Sequence, residues 1–232
     1  MSETTTLADL VTSRPATARV LERHHLDFCC GGRRTLIAAC ADAGVDLRAL
    51  LAEIDAVSPC VDPTWASMGV ADLVDHIVSV HHDYLYAELP AVSALGAKVL
   101  AAHGDRHREL VYVVAAYEAL RADLGPHLLK EERVLFPMIR ELAASPTTPA
   151  FHCGRLANPI GVMLLEHDTT GEFLSSLREI TENFAVPDDA CASYRSLMER
   201  LAALEADTHL HIHKENNVLF PAVLELEAER GG

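Results

Sequence analysis

The stretch HLLKEERVLFPMI occupies residues 127–139, and a closely similar stretch, HIHKENNVLFPAV, occupies residues 211–223. The two stretches agree at seven of thirteen positions, and each begins with a His that is followed four residues later by a Glu. Side chains four residues apart lie on the same face of a helix. The repeat therefore predicts two equivalent helices, each presenting a His and a Glu together.

Each copy of the repeat has a matching histidine upstream. His82 precedes His127 by 45 residues, and His167 precedes His211 by 44 residues. Both upstream histidines are followed by Asp. Two helical hairpins with one shared pattern predict an up-down four-helix bundle with approximate two-fold symmetry.

The composition favours a soluble all-α protein. The chain has 232 residues, half of them apolar and only 5% aromatic, which favours helices over sheets. Its formal net charge of −15 argues against nucleic acid and anionic membranes as partners. We see no signal peptide and no apolar stretch near the roughly 20 residues of a membrane span, so we expect a cytoplasmic protein. The six scattered cysteines are expected to be free thiols.

The chain is predicted to have three parts. Residues 1–57 show helical patterning interrupted by paired glycines and form a small N-terminal helical domain. Residues 58–65 contain two prolines and are predicted to be a linker, and residues 66–232 form the four-helix bundle. The long helical segments are expected at about 67–95, 106–144, 158–184 and 189–229. We expect a kink at Gly125-Pro126 and further distortions at Pro137 and Pro221.

Six polar side chains fall on the apolar, inward faces of these helices. They are His82, His127, Glu131, His167, His211 and Glu215. Buried imidazoles and carboxylates need partners, so the choice lies between hydrogen-bonded core pairs and metal ligands. Four helices that each deliver a His or Glu at similar depth are typical of a di-metal site in a bundle, which we favour.

The repeat selects between neighbouring candidates. Glu215 matches Glu131, whereas Asn216 stands at the position of Glu132, so Glu131 is the predicted ligand. His82 is preferred over His81 because His82, like His167 in the second hairpin, directly precedes an Asp, and His81 is the alternative ligand.

Imidazole together with carboxylate suits iron, although zinc or manganese can bind the same donors. If both glutamates bridge, each of two metal ions receives two His and two carboxylate oxygens. Positions then stay open for an oxo or hydroxo bridge and a small ligand.

Several motifs together indicate a family. They are DFCCGG at residues 27–32, HHD at 81–83, HLLKEERVLFP at 127–137, LEHD at 165–168 and HIHKENNVLFP at 211–221. In these motifs, which span nearly the whole chain, the sequence resembles the hemerythrin-like di-iron proteins. It is most similar to the Repair of Iron Centres family, also called ScdA-type.

The resemblance implies a function as well as a site. The four histidines would be terminal iron ligands and the two glutamates bridging ligands, with two iron ions per chain in an oxo- or hydroxo-bridged centre. The implied role is to repair iron–sulfur clusters after oxidative or nitrosative damage, with damaged iron–sulfur proteins as clients and iron donated from the labile centre. The alternatives are an enzyme that acts on nitric oxide or peroxide, and an oxygen or redox sensor.

Further candidates accompany the six ligands. Asp123 and Glu166 flank them and are predicted to support ligands or to form an iron path. Three interpretations of Cys29 and Cys30 stay open: a redox switch, a docking point for iron, or two small residues that are simply buried. His209 and His213 are expected at the surface. The N-terminal domain is a candidate surface for a homodimer.

Overall fold

A computed structural model of the chain describes residues 4–57 and 64–231. Within these ranges it contains helices, turns and no β-strand, so the predicted all-α class is confirmed. Most of the predicted linker, residues 58–63, lies outside the described residues. Thr64–Ser67, which includes the last two residues of the predicted linker, forms one turn of 3-10 helix.

The α-helices of the described ranges follow one another along the whole chain. In order they are α1 (Leu7–Ser13), α2 (Ala18–Arg23), α3 (Leu36–Ala43), α4 (Leu47–Ala56), α5 (Val70–Ile77), α6 (Asp83–His103), α7 (Leu110–Lys130), α8 (Phe136–Ala144), α9 (Ala157–Ile180), α10 (Ala192–Lys214) and α11 (Phe220–Arg230). Three π-helical turns lie between helices: π1 (Val78–His82), π2 (Glu131–Leu135) and π3 (Glu215–Leu219). Each π turn is continuous with the α-helices on both sides, so the long predicted segments are present.

The chain divides into two compact units. The first comprises Met1–Ile77, Met138–Asn158 and His209–Gly232, and the second comprises Val78–Pro137 and Pro159–Thr208. All four boundaries between them fall within helical stretches. The units therefore follow packing rather than chain order, and the predicted succession of N-terminal domain, linker and bundle stays a prediction.

In the first unit, the short N-terminal helices enclose an apolar core. Local signals define them: Thr6 and Asp9 form a capping box at α1, and the Asp46 side chain caps α4. Buried side chains such as Val11 and Leu50 pack in one cluster with Ile212 of α10. The N-terminal helices are thus held against the end of α10 by apolar burial.

His213 of α10 lies inside this packing, which corrects the expected surface position. Its side chain is 0% exposed, and its ring packs edge-on against Phe28 and Trp65. Its Nε2 lies 3.0 Å from Thr12 Oγ1. Burial, partly opposed by a hydrogen bond to the Phe28 carbonyl, lowers the pKa of His213 to about 4. His213 therefore acts as a neutral contact for the N-terminal helices.

In the second unit, α6, α7, α9 and α10 share a separate apolar cluster. Its members include Leu85, Leu120, Leu174 and Leu204. Gly96, which directly follows the predicted end of the first long segment at about residue 95, lies buried within α6, and a Cβ there would sit 3.5 Å from Val114 of α7. A Cβ at that distance would make an ordinary van der Waals contact, and α6 continues through the glycine without a break.

The prolines act differently from one another. Helix α7 continues through Gly125 and Pro126, and the kink expected there stays a prediction. Before Pro137, the helix widens into π2, and the Phe136 N–H bonds to the Glu131 carbonyl five residues back. A proline ring clashes with the carbonyl four residues earlier, and a π turn relieves that clash. The same pattern precedes Pro221, where Phe220 N–H bonds to the Glu215 carbonyl.

One helical stretch corrects the expectation about membrane spans. Val70–His103 is long and apolar enough to cross a membrane by length and composition, although no apolar stretch of that kind was expected. A single stretch of this type is weak support for a membrane span, because core helices of soluble proteins pass the same test.

Candidate metal centre

In the second unit, three imidazoles converge on the carboxylate of Glu131. His82 Nε2 lies 3.4 Å from Glu131 Oε2, and His127 Nε2 lies 3.2 Å from Glu131 Oε1. His167 Nε2 lies 3.8 Å from that Oε1 and 3.1 Å from His127 Nε2. All four side chains are at most 1% exposed. The structure thus brings four of the six predicted ligands together within one unit.

The carboxylate of Glu131 lacks aligned hydrogen bonds. Neither of its oxygens has a hydrogen-bond partner among the described residues, although the imidazole nitrogens are close. Burial by itself raises the pKa of Glu131, but His127, His167 and His82 outweigh it and hold that pKa well below the usual range. A buried, ionised carboxylate that faces imidazole nitrogens is a donor set that a cation completes.

Two carboxylates orient these imidazoles from behind. His127 Nδ1 lies 2.9 Å from Glu166 Oε2, and His82 Nδ1 lies 2.8 Å from Glu132 Oε1. A carboxylate only accepts, so each Nδ1 carries a proton, and Nε2 is the ring nitrogen that faces Glu131 and that coordinates a cation once it has lost its own proton. Carboxylate–histidine pairs of this kind support the ligands of metal sites in proteins.

Glu166 was predicted to support a ligand, and the structure places it against His127. Glu132 was considered only as a rejected ligand, so its contact with His82 was missed. Its position directly after Glu131 was the one available signal, because it allows Glu132 to face a neighbouring helix.

In the first unit, His211 and Glu215 form a second buried pair. His211 Nε2 lies 3.2 Å from Glu215 Oε1, the same distance that separates His127 from Glu131. His211 and Glu215 are 1% and 0% exposed. The repeated sequence therefore gives a repeated local geometry, with an imidazole one helical turn before a carboxylate.

The π turns coincide with predicted ligands. His82 ends π1, Glu131 begins π2 and Glu215 begins π3. Single π turns within α-helices occur frequently at functional sites. The Phe-Pro dipeptide five residues after each Glu was the sequence signal for two of these turns.

Two other candidates lie beside the ligands without joining them. His81 Nδ1 pairs with Asp207 Oδ1 at 2.9 Å, which turns the alternative ligand towards α10. Asp123 Oδ2 accepts a hydrogen bond from Thr170 Oγ1 at 3.2 Å, three residues after His167. The structure therefore places Asp123 beside the helix that carries His167.

Cys29 and Cys30 lie in the loop between α2 and α3. Their sulfurs are 3.9 Å apart, and the Asp27 carboxylate accepts the backbone N–H groups of both residues. Contact with the Cys30 sulfur, burial and the Asp27 carboxylate raise the pKa of the Cys29 thiol. Cys29 is therefore protonated at neutral pH, which disfavours it as an attacking thiolate.

This loop contacts the helical residues that follow Glu215. The Asn217 side-chain amide donates to the Cys29 carbonyl at 2.9 Å, and the Asn216 amide lies 3.9 Å from the Cys30 sulfur. The two cysteines thus lie next to the residues after a predicted ligand, a proximity that sequence spacing did not reveal.

Known families match nearly the whole chain. The domain of unknown function named ScdA_N matches residues 3–58, and the hemerythrin HHE cation-binding domain matches residues 73–223. The predicted fold class, a hemerythrin-like helical bundle with a small N-terminal helical domain, is therefore confirmed. The hemerythrin match also supports the binding of a cation by this part of the chain.

Curated relatives match over the same length. The chain is 34% identical over 222 residues to a probable iron-sulfur cluster repair protein of Haemophilus influenzae, covering 94% of this chain and 96% of the relative. It is 33% identical over 220 residues to the iron-sulfur cluster repair protein YtfE of Yersinia pseudotuberculosis. It is 32% identical over 219 residues to the protein of that name in Salmonella schwarzengrund. The coverage of these last two pairs is also 94% of this chain and 96% of the relative.

Proposed function

We propose that this chain, which belongs to the Repair of Iron Centres family, holds two iron ions and supplies iron to damaged iron–sulfur clusters. The single observation that carries this proposal is the convergence of His82, His127 and His167 on the buried, ionised carboxylate of Glu131. The full set of proposed ligands is His82, His127, Glu131, His167, His211 and Glu215.

The donor types support iron. Imidazole and carboxylate donors suit iron, and the set contains no thiolate. In this proposal Glu131 and Glu215 bridge the two ions, as the family resemblance implies. Their equivalence is supported by the 3.2 Å that separates each carboxylate from the Nε2 of the histidine four residues earlier. Six side-chain ligands leave positions open on two octahedral ions, so a bridging oxygen and an incoming ligand have room.

Iron is cargo in this proposal, so the protein must hold it and also release it. Glu166 supports both requirements, because it contacts buried His127 while its own side chain is 23% exposed. It also pairs with Lys130, whose side chain is 50% exposed. The route proposed for iron therefore runs past His127 and Glu166 to solvent, and Asp123 remains a candidate on the neighbouring face.

The partners belong to the proposal too. The relatives are named for iron–sulfur cluster repair, which supports damaged iron–sulfur proteins as clients. The net charge of −15 disfavours nucleic acid and anionic membranes, so we propose a soluble, cytoplasmic protein. A homodimer through residues 1–57 remains a prediction. The apolar surface that favoured a partner chain is reduced, because N-terminal apolar residues pack against Ile212 of the same chain.

Metal content tests the site. The protein, reconstituted with ferrous iron under argon and desalted, should retain about two irons per chain. Glu131→Gln keeps the size of the side chain but removes its charge, so it should retain about one iron or none. Glu141→Gln, on an exposed position of α8, is the matched control and should load like the unaltered protein. Equal loading of the two variants would refute the ligand set.

A repair assay tests the function. Iron-loaded protein should restore activity to an oxidised iron–sulfur dehydratase, whereas Glu131→Gln treated in the same way should not. Recovery should scale with the iron supplied. Many turnovers of nitric oxide or peroxide per chain would instead favour the enzyme alternative, and a reversible oxygenated spectrum would favour a sensor.

A further inference from the structure

A thiol and an imidazole meet in the second unit, in residues that the proposed function does not use. His103 ends α6, Cys191 directly precedes α10, and His103 Nε2 lies 3.1 Å from Cys191 Sγ. The imidazole is only 7% exposed, whereas Cys191 is exposed, alone among the cysteines that the structure describes. A buried base therefore contacts a thiol that a reagent can reach.

The backbone around Cys191 favours the thiolate. Arg195 N–H bonds to the Cys191 carbonyl at 3.0 Å, so Cys191 occupies the N-cap position of the 23-residue helix α10. Hydrogen bonds from the backbone N–H of Tyr194, and next from that of Ser193, lower the pKa of Cys191. Thiols at helix N-termini are more reactive for this reason.

The imidazole of His103 is held in place for this contact. Tyr194 packs edge-on against it with ring centroids 5.5 Å apart. Its Nδ1 is buried without a hydrogen-bond partner among the described residues, so the Cys191 sulfur is the polar contact of this ring. In the neutral tautomer that carries its proton on Nδ1, the ring presents the Nε2 lone pair to the Cys191 thiol.

The surrounding charges are engaged elsewhere. His107 Nδ1 lies 2.9 Å from Glu109 Oε1, and His107 Nε2 lies 2.9 Å from Asp189 Oδ1. Arg106 lies 3.7 Å from Asp189. Because His107 and these carboxylates pair with each other, the cluster offers one thiol with one base rather than a set of metal ligands.

We propose that Cys191 is a reactive thiol that exchanges with small uncharged disulfides, with His103 sharing its proton. The Cys191 sulfur attacks one sulfur of the disulfide, and a new S–S bond forms as the old one breaks. The departing sulfur keeps the electron pair of the broken bond and takes the proton held between Sγ and Nε2. The products are a mixed disulfide at Cys191 and one free thiol, and a second thiol reverses the step.

The test uses the full-length protein and dithiodipyridine, with modified cysteines located by peptide mass spectrometry. Cys153 is the internal control, because it is half-buried and its sulfur is paired with Met138 Sδ and the Arg155 carbonyl, each at 3.8 Å, rather than with an imidazole. A lowered thiol pKa raises the fraction of reactive thiolate at neutral pH more than it reduces the nucleophilicity of that thiolate. Cys191 should therefore react at least about threefold faster than Cys153 at neutral pH.

A matched pair of variants tests the role of the imidazole. His103→Gln should slow Cys191 about threefold and move the rise of its rate to higher pH, whereas His107→Gln should leave both unchanged. Buried Cys40 should stay slow in both variants if they are folded.

If His103→Gln unfolds, the unaltered protein still tests the proposal. In that protein, the reaction rate of Cys191 must level off at a lower pH than the reaction rate of Cys153. Equal rates and equal pH profiles for the two cysteines, or a Cys191 rate unchanged in folded His103→Gln, would overturn the proposal. Neither result bears on iron binding.

Discussion

The two copies of the repeat, residues 127–137 and 211–221, agree on their inner face and differ on their outer face. On the inner face each has a His and a Glu 3.2 Å apart, and each Glu begins a π turn. On the outer face of the first copy, Leu129 is 38% exposed. The equivalent His213 is 0% exposed.

The outer face of the second copy is covered because the N-terminal helices lie on it. Phe28 packs against His213, and Lys214 Nζ lies 5.2 Å from the centre of the Trp65 ring. Lys214 is 2% exposed, whereas the equivalent Lys130 is half exposed and pairs with Glu166. One repeated helix therefore presents the same donors inward while its outer face serves two different purposes.

The difference teaches how a duplicated helix diverges. In the first copy, Glu132 turns to a neighbouring helix and holds His82. In the second copy, Asn216 and Asn217 turn to the loop of Cys29 and Cys30. The donor positions stay alike and Glu132 is replaced by Asn216, whereas the lysine is kept in both copies and takes a different partner in each.

The largest expected effect comes from uncovering the second copy. Phe28→Ala removes a ring that is 2% exposed, so it should lower the free energy of unfolding by about 3–5 kcal/mol. Leu129→Ala, on the exposed face of the first copy, should change it by less than about 0.5 kcal/mol. Urea denaturation of the metal-free protein measures both. Similar losses in the two variants would mean that the outer faces are not different.

The two lysines sharpen the comparison at a smaller scale. Lys214→Ala removes a buried stem and a cation–π contact with Trp65, so it should cost about 2 kcal/mol. Lys130→Ala breaks a surface ion pair and should cost less than about 1 kcal/mol. Urea denaturation measures the loss of unfolding free energy in both variants. A larger loss for Lys130→Ala than for Lys214→Ala would contradict the assignment of the buried face.

The smallest effect separates ligand support from loop docking. Glu132→Leu removes the partner of His82 Nδ1, so it should weaken iron binding about tenfold in competition with a chelator. Asn217→Ala removes a hydrogen bond to the Cys29 carbonyl, so it should speed alkylation of Cys30 and leave iron affinity unchanged. A loss of iron in Asn217→Ala, or none in Glu132→Leu, would show that the two roles are not divided in this way.

The sequence was sufficient for much of the fold and for the candidate ligands. Helical periodicity and the repeat predicted the all-α class and selected Glu131 over Glu132. The fold class is confirmed, and the ligand choice stays a prediction; both rest on periodicity and spacing within one helix, which are local properties set by 3.6 residues per turn. The same locality explains the error at Gly96: a glycine weakens a helix locally, but packing in the second unit keeps α6 continuous through it.

Only the tertiary structure decided which outward residues have partners. His213 bonds to the Phe28 carbonyl across 185 positions of sequence, and His103 meets Cys191 across 88 positions. No pattern within a helix reports such contacts, because they depend on which elements pack side by side. The sequence by itself determined which side chains turn inward together, and packing between distant segments determined that His213 is buried and that Cys191 has a base.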